Sequence, residues 1–309
     1  MVKKRFRKTL MLGAGDIGRR IIARHAPRGS VTAVTSTAAH RAQLRRLGAQ
    51  AVFADLDKPG TLRHLPSDWE WMLHCAPPQA SGSRDLRTRN LLRAIGRQPE
   101  QHAREGKILS RTVVYLGTSG VYGDCCGERA TEARHLSPQS ARARRRADAE
   151  RTLGRAARRG AFRLVILRVP GIYAENRLPL DRLRAGTPAI VAAEDSWTNH
   201  VHAADLAAIA VQALWRTARR TAPRQRVFNC NDDSELKMGD YFDLVARAFD
   251  LPAPPRMTRA EIAGKVTPML MSFMRESRRL DNRRIKRELR VRFQFPTVAE
   301  GVGRARAML

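Results

Sequence analysis

The residues with the clearest chemical meaning stand near the start of the chain, in Gly13-Ala14-Gly15-Asp16-Ile17-Gly18. Glycines at this spacing, behind a short apolar strand and at the opening of a helix, suit a pyrophosphate group. Gly13 permits a tight turn. Gly15 removes a side chain where phosphate oxygens must approach, and Gly18 lets helix and strand pack closely. Free N–H groups and the positive end of the helix dipole at Asp16 and Ile17 then face the anion. A glycine-rich turn with no ligand is the alternative, and the surrounding strand–helix–strand unit favours the dinucleotide.

A second group follows the next strand. An NAD site places a carboxylate there, about 20 residues after the glycines, on the ribose 2′-hydroxyl. No acidic residue occurs between Gly18 and Asp55. Thr35, Ser36 and Thr37 supply hydroxyls instead, with His40 and Arg41 behind them. Hydroxyls and a guanidinium suit a 2′-phosphate, so NADP is expected ahead of NAD. Arg41 also reads as a solvated helix residue. Asp55-Leu56 ends the third strand, where a carboxylate either accepts from the adenine amino group or caps a turn. Ala76-Pro77-Pro78 ends the fourth, either lining the adenosine ribose or simply terminating the strand.

The elements that must hold these groups are legible from apolar spacing. Thr9–Leu12, Val31–Thr35, Ala51–Ala54, Trp71–Ala76, Thr112–Leu116 and Phe162–Val169 read as strands. Asp16–His25, His40–Leu47, Asp85–Ile95 and Arg142–Arg159 read as helices between them. This alternation predicts an α/β fold: a Rossmann doubly wound parallel sheet with helices on both faces. Beyond Pro170 the pattern weakens. His202–Trp215 and Met238–Phe249 read as helices, Val227–Asn229 as a strand, and the chain from Thr258 as a smaller helical lobe. The expected division is residues 1–170 for the nucleotide-binding domain. Residues 171–309 then hold the remaining Rossmann elements and a smaller C-terminal substrate lobe, interleaved as one structural unit.

Composition narrows the classes. The chain has 309 residues, 43% of them hydrophobic, and a net charge of +29 from 58 basic and 29 acidic residues. No apolar run reaches the roughly 20 residues of a spanning helix. The basic start, Met1 to Lys8, runs into glycines too soon for a secretion signal. Cys75, Cys125, Cys126 and Cys230 form no CxxC pair and no metal-ligand spacing, so no metal is expected and a cytoplasmic location fits best. Cys125-Cys126 reads as two small loop residues ahead of a redox pair. The charge invites polyanions. Yet the arginines are spread along the chain and aromatics are only 6%, so solvated arginine-rich faces are favoured over a nucleic-acid partner.

Several segments together resemble the extended short-chain dehydrogenase/reductases of the NAD-dependent epimerase/dehydratase family, closest to an atypical subgroup. They are the glycine turn, Asp55-Leu56, Ala76-Pro77-Pro78, Leu116 to Asp124 (LGTSGVYGD), Leu167 to Tyr173 (LRVPGIY), Asn199 to Ala207 (NHVHAADLA), Asn282 to Leu289, and Phe295-Pro296. The resemblance implies that Thr118, with Ser119 beside it, bonds the reacting oxygen. It implies that Pro170, Gly171 and Ile172 turn the chain beside the nicotinamide. It also implies a Tyr-xxx-Lys pair at fixed spacing before a helix glutamate, the tyrosine exchanging the proton. Counting back from Glu150 lands on Arg146 for the lysine and Arg142 for the tyrosine. No Tyr or Lys occurs between Asp124 and Glu150. Arg146 still suits the nicotinamide ribose, but a guanidinium stays protonated, so Arg142 cannot donate the proton. A phenol, Tyr122 or Tyr173, or else a water must replace the missing tyrosine. His202 and Asp205 are expected to be structural, and the basic helix from Arg283 to be solvated.

The implied function is NAD(P)-dependent oxidoreductase or epimerase/dehydratase chemistry on a hydroxyl- or carbonyl-bearing small molecule. The missing pair keeps a non-catalytic dinucleotide sensor or scaffold open. The charge keeps open a basic nucleic-acid-associated protein with a vestigial Rossmann fold. A homodimer is compatible with either.

Overall fold

The computed structural model describes residues 6–96, 111–217 and 223–308. Residues 1–5 of the basic start lie outside the described residues. The chain folds as two interleaved compact units. One comprises Met1–Thr118, Ala141–Arg168 and Ala207–Phe228; the other comprises Ser119–Ser140, Val169–Leu206 and Asn229–Leu309. The interleaving is finer than a boundary at residue 170. Residues 119–140 belong with the second unit, and the chain from Ala207 to Phe228 returns to the first.

In the first unit, short apolar runs form the strands β1 (Thr9–Leu12), β2 (Val31–Thr35), β3 (Gln50–Phe53), β4 (Trp71–His74), β5 (Thr112–Leu116), β6 (Arg163–Arg168) and β7 (Gln225–Asn229). The residues of β1, β4 and β5 are buried throughout, as strands covered on both faces must be. The sheet order is β7-β6-β5-β4-β1-β2-β3, and the pairs from β6 through to β3 run parallel. The chain moves outward from β1 to β3, then crosses back to β4. The order therefore reverses beside β1, and the crevice at the carboxyl ends of such a switch is where ligands bind doubly wound sheets.

The helices α1 (Asp16–His25), α2 (Ala38–Arg46), α3 (Leu86–Gly96), α4 (Ala141–Arg158) and α5 (Ala203–Thr217) connect these strands. On α1, Ile17, Ile21 and Ile22 face the sheet, matching their helical spacing. One face of the sheet packs Leu10, Leu12, Met72, Val113 and Ile166 against Leu91 and Leu153.

The second unit is built from shorter pieces. Strands of two or three residues, such as Gly171–Tyr173 beside His200–His202, pair locally. Its core joins Tyr173, Phe242, Val245, Val298 and Val302. Helices at Met238–Ala248, Pro268–Arg275, Arg283–Leu289 and Val298–Arg306 supply the helical character expected after Thr258 and before it. Among the described residues, no helix is long and apolar enough to cross a membrane.

Candidate functional site

The turn from β1 into α1 is shaped by the neighbouring strand. Cys75 donates its backbone N–H to the Leu12 carbonyl at 2.8 Å, which brings the end of β4 against the glycines. Gly13 takes φ +81°, and a Cβ there would stand 2.5 Å from the Ala76 nitrogen. Only glycine satisfies both constraints. Gly15 is the opposite case: a Cβ built on it meets nothing within 4 Å. It forms the N-cap of α1 with no side-chain cap, so the first-turn N–H groups are left for an anion. Gly18 packs close, its would-be Cβ 2.9 Å from the Met11 sulfur. Ile17 is buried beneath the turn, and Asp16 pairs with Arg20 Nε at 3.1 Å on the helix surface. A tight turn, an open approach at Gly15 and an uncapped helix end together fit a pyrophosphate.

At the end of β2, Thr35 Oγ1 accepts from the Thr37 N–H at 3.2 Å and holds the turn. Ser36 is exposed and Arg41 is half-buried on the first turn of α2. Among the described residues the buried Arg41 Nε has no hydrogen-bond partner. Past β3, Asp55 Oδ1 accepts from the Asp57 N–H at 2.9 Å, and Leu56 is buried. Asp55 therefore acts at least as a turn residue. Ala76 is buried against Gly13, while Pro77 is exposed.

Arg146 lies on α4, and its side chain is buried. Its Nη1 donates to the Leu116 carbonyl at 2.9 Å, the Tyr115 hydroxyl at 3.1 Å and the Ala76 carbonyl at 3.3 Å. The cation thus draws together the carboxyl ends of β4 and β5, two residues from Thr118, which is half-buried. Arg142 is exposed one turn earlier. Burial pushes the Tyr115 phenol up to about 12, against the pull of Arg146. Tyr115 escapes notice in the sequence, because a tyrosine inside an apolar strand reads as core.

Beneath this corner runs a polar chain that the sequence does not announce. Asp148 accepts the Asp85 N–H at 2.9 Å and Arg89 Nη2 at 2.9 Å. Asp85 in turn accepts from the Thr88 hydroxyl at 2.9 Å. That hydroxyl has committed its proton, so His74 Nε2, 3.0 Å away, must be the donor to it. Burial first, then Arg146, lowers the His74 imidazole to about 3. Glu150, the landmark for counting along α4, is buried against Arg168 on β6, Nη2 to Oε2 2.9 Å. Burial raises its carboxyl, and Arg168 opposes the rise. Its role is to fasten α4 to the sheet.

Within the second unit, both candidate phenols are engaged with other parts of the chain. Tyr122 is fully buried, and its hydroxyl donates to Asn229 Oδ1 at 2.7 Å. Tyr173 is buried too, donating to the Thr297 carbonyl at 3.1 Å; burial first, then Asp232 and Asp205, pushes its phenol far up. Ser119 is buried, its N–H bonded to the Val169 carbonyl at 2.9 Å. Pro170 is half-buried, and Gly171 and Ile172 begin a short strand, Gly171 donating to the Asn199 carbonyl at 3.1 Å. Asp205 accepts from the Gln294 and Phe295 N–H groups at 2.7 and 3.0 Å, which ties a loop down rather than serving a helix dipole alone. A polar cleft of about 350 Å³ lined by Asn231, Asp233 and Arg279 carries its charge as internal pairs, Arg129 with Glu235 and Arg283 with Asp281.

The sequence profile of the NAD dependent epimerase/dehydratase family matches residues 9–230, from β1 through β7. The chain belongs to this family. Among solved structures, a functionally unknown conserved protein from Silicibacter pomeroyi is similar at 27% identity and TM-score 0.77, over 97% of this chain and 98% of that one. MoeE5 in complex with UDP-glucose and NAD shares the fold at 19% identity and TM-score 0.70, over 97% of each chain. A UDP-glucose 4-epimerase from Thermotoga maritima, with UDP-glucose, does so at 16% identity and TM-score 0.73, again over 97% of each. No curated protein matches the sequence. Membership of the epimerase/dehydratase family carries a nicotinamide dinucleotide as cofactor, and the glycine turn has the geometry to receive one.

Proposed function

We propose that the chain is an NADP(H)-dependent oxidoreductase or epimerase/dehydratase acting on a hydroxyl- or carbonyl-bearing small molecule. Gly13, Gly15, Asp16, Ile17 and Gly18 hold the pyrophosphate. Thr35, Ser36 and Arg41 take the 2′-phosphate, Asp55 and Leu56 the adenine, and Ala76 and Pro77 the adenosine ribose. The observation that carries the reading is the open approach at Gly15 together with the unpartnered, buried Arg41 Nε beyond the end of β2. A buried guanidinium N–H without a partner leaves a donor unsatisfied, which a phosphate oxygen corrects. The nicotinamide, when bound, supplies hydride acceptance or donation.

Thr118 positions the reacting oxygen, and Arg146 contributes a fixed positive charge at the end of β5. Its guanidinium donates hydrogen bonds and accepts none, so Arg146 orients and polarises. With Tyr122 and Tyr173 buried and Arg142 in the tyrosine position, solvent water carries the proton. A nucleotide-linked sugar is the substrate class to screen first, because UDP-glucose is bound in two structures of the same fold.

The test is a titration with NADPH and NADH, followed by nicotinamide fluorescence, on the wild type and Arg41→Ala. NADPH is expected to bind at least tenfold tighter than NADH, a gap of about 1.4 kcal/mol. Arg41→Ala should erase most of that difference, in line with about 1.5–3 kcal/mol for a charged hydrogen bond. Equal affinities in the wild type would refute the NADP assignment, and binding of neither would refute the reading as a whole.

A further inference from the structure

The strands of the first unit whose pairing is parallel share one end, where β1 to β6 begin and where α1, α2 and α4 finish. This amino-end face is opposite the cofactor crevice, which lies at the carboxyl ends. Leu164 N–H bonds to the Arg224 carbonyl at 2.8 Å, so β7 begins on the same side. Six arginines are exposed here: Arg28 before β2, Arg45 and Arg46 before β3, Arg158 and Arg159 before β6, and Arg224 before β7. Among the described residues, none of the six side chains has an acidic partner within ion-pair distance.

The middle of the face differs. Arg7 pairs with Glu70 and Lys8 with Asp68, at the starts of β1 and β4. Among the described residues, the six arginines therefore form two groups, one on either side of these ion pairs. Arg28 packs beside Gly48, close to Arg45 and Arg46, and Arg224 lies beside Gly160, next to Arg158 and Arg159. From β2 to β6 is four strand spacings in the sheet order, about 19 Å at about 4.8 Å each. Helix dipoles favour a cation at each carboxyl end, by about 0.3–1 kcal/mol. That accounts for single residues and not for six that, among the described residues, have no carboxylate paired to any of them.

We propose that this face binds the phosphodiester backbone of a nucleic acid. Guanidinium groups in two clusters whose inner edges are about 19 Å apart match repeated phosphates on one polymer, each able to take a phosphate bidentately. Among the described residues, the large apolar side chains that are exposed are Phe53, Leu86, Phe273 and Met308. Phe53 ends β3 and Leu86 opens α3, both at the carboxyl-end side of the sheet, and the other two belong to the second unit. Among the described residues of the first unit, neither Phe53 nor Leu86 is placed to insert from this face into a lipid surface, which separates it from a membrane-docking site. This contact is independent of dinucleotide binding at the opposite ends of the strands.

The test is fluorescence anisotropy with a 20-base-pair DNA duplex and a 20-nucleotide RNA, across a salt series, on the full chain. Six phosphate contacts on duplex DNA predict a slope of log K against log salt of about −5. Reversing either cluster, as Arg28→Glu/Arg45→Glu/Arg46→Glu or Arg158→Glu/Arg159→Glu/Arg224→Glu, should flatten the slope by about three. Both variants should keep the wild-type circular dichroism spectrum and NADPH affinity. A charge-matched control, Arg287→Glu/Arg292→Glu/Arg304→Glu in the second unit, should leave nucleic-acid affinity within about threefold, the small effect of exposed, screened charges outside the two clusters. Comparison of the two probes identifies RNA or DNA as the source of the phosphates. Equal loss in the control, no binding of either probe at low salt, or binding of phosphatidylserine vesicles in place of nucleic acid would each overturn the proposal.

Discussion

Two parts of the same unit treat their side chains in opposite ways. The Gly13–Gly18 turn has been emptied: one glycine is forced by the backbone of Ala76, the next faces open space, and the helix end carries no side-chain cap. The corner where α4 meets β4 and β5 has been filled. Arg146 directs one nitrogen at three acceptors, on Ala76, Tyr115 and Leu116, and Glu150 is locked to Arg168. The turn has the open geometry a pyrophosphate needs, and the corner has Arg142 and Arg146 where the resemblance leads one to expect a Tyr-xxx-Lys pair. The contrast teaches that anion binding by backbone survives any change of side chain around it, whereas proton exchange requires one particular group. The proposed division of labour follows: the turn binds, and the corner orients.

Breaking the turn at Gly13 should have the largest effect. Gly13→Val places a Cβ against the Ala76 backbone and forces a left-handed φ on a β-branched residue, so stability should fall by about 4 kcal/mol or more and NADPH binding should be lost. Calorimetry and the fluorescence titration check the two parts. At the corner, Glu150→Ala removes the carboxylate paired with the buried Arg168, expected to cost about 3–5 kcal/mol. The corresponding drop in Tm is about 6–10 °C. A loss under about 1 kcal/mol would show the pair to be solvated and the filled corner to be less rigid than described.

Arg146→Ala frees two carbonyls and a phenol oxygen, and about 2–3 kcal/mol of stability should go with them. Arg146→Lys should recover part of it, since an ammonium reaches fewer acceptors in a fixed geometry. The turn, if separate in function, should still bind NADPH in both variants within about tenfold, a limit equivalent to about 1.4 kcal/mol.

His74 gives a pH test of the same corner. Its folded-state pKa, about 3, is below its ordinary value of 6.5 because burial and Arg146 disfavour the cation. The stability it contributes is therefore complete above about pH 6.5 and lost as pH falls toward about 3. His74→Gln should flatten the decline of Tm between those limits; an unchanged profile would remove His74 as a cause of acid lability.

Much of this fold is legible in the sequence, and the misses have physical causes. The seven-stranded sheet follows from apolar runs bounded by glycine and proline, and its strand and helix limits differ from expectation by a few residues. The two- and three-residue strands of the second unit, such as Gly171–Tyr173, are too short to show any period. The glycine turn declares itself because its logic is local. Tyr122 and Tyr173 read as available phenols because nothing in sequence shows that Asn229 lies against one and the Thr297 carbonyl against the other, 107 and 124 residues away. The His74–Thr88–Asp85–Asp148 chain is hidden for the same reason. The arginine excess looks evenly spread along the chain, and only the parallel sheet gathers six of those arginines at one end.

The most direct test of the central claim is Gly15→Ala. Gly15 has φ −70° and open space around it, so alanine fits the fold and the Tm should stay within about 1 °C, as expected for a substitution that strains nothing. The added methyl stands where the pyrophosphate must approach, and NADPH affinity should fall at least tenfold, about 1.4 kcal/mol. An unchanged Tm with weakened NADPH binding is the result the account predicts. Unchanged affinity for NADPH would contradict it, because the dinucleotide would then bind somewhere other than the glycine turn.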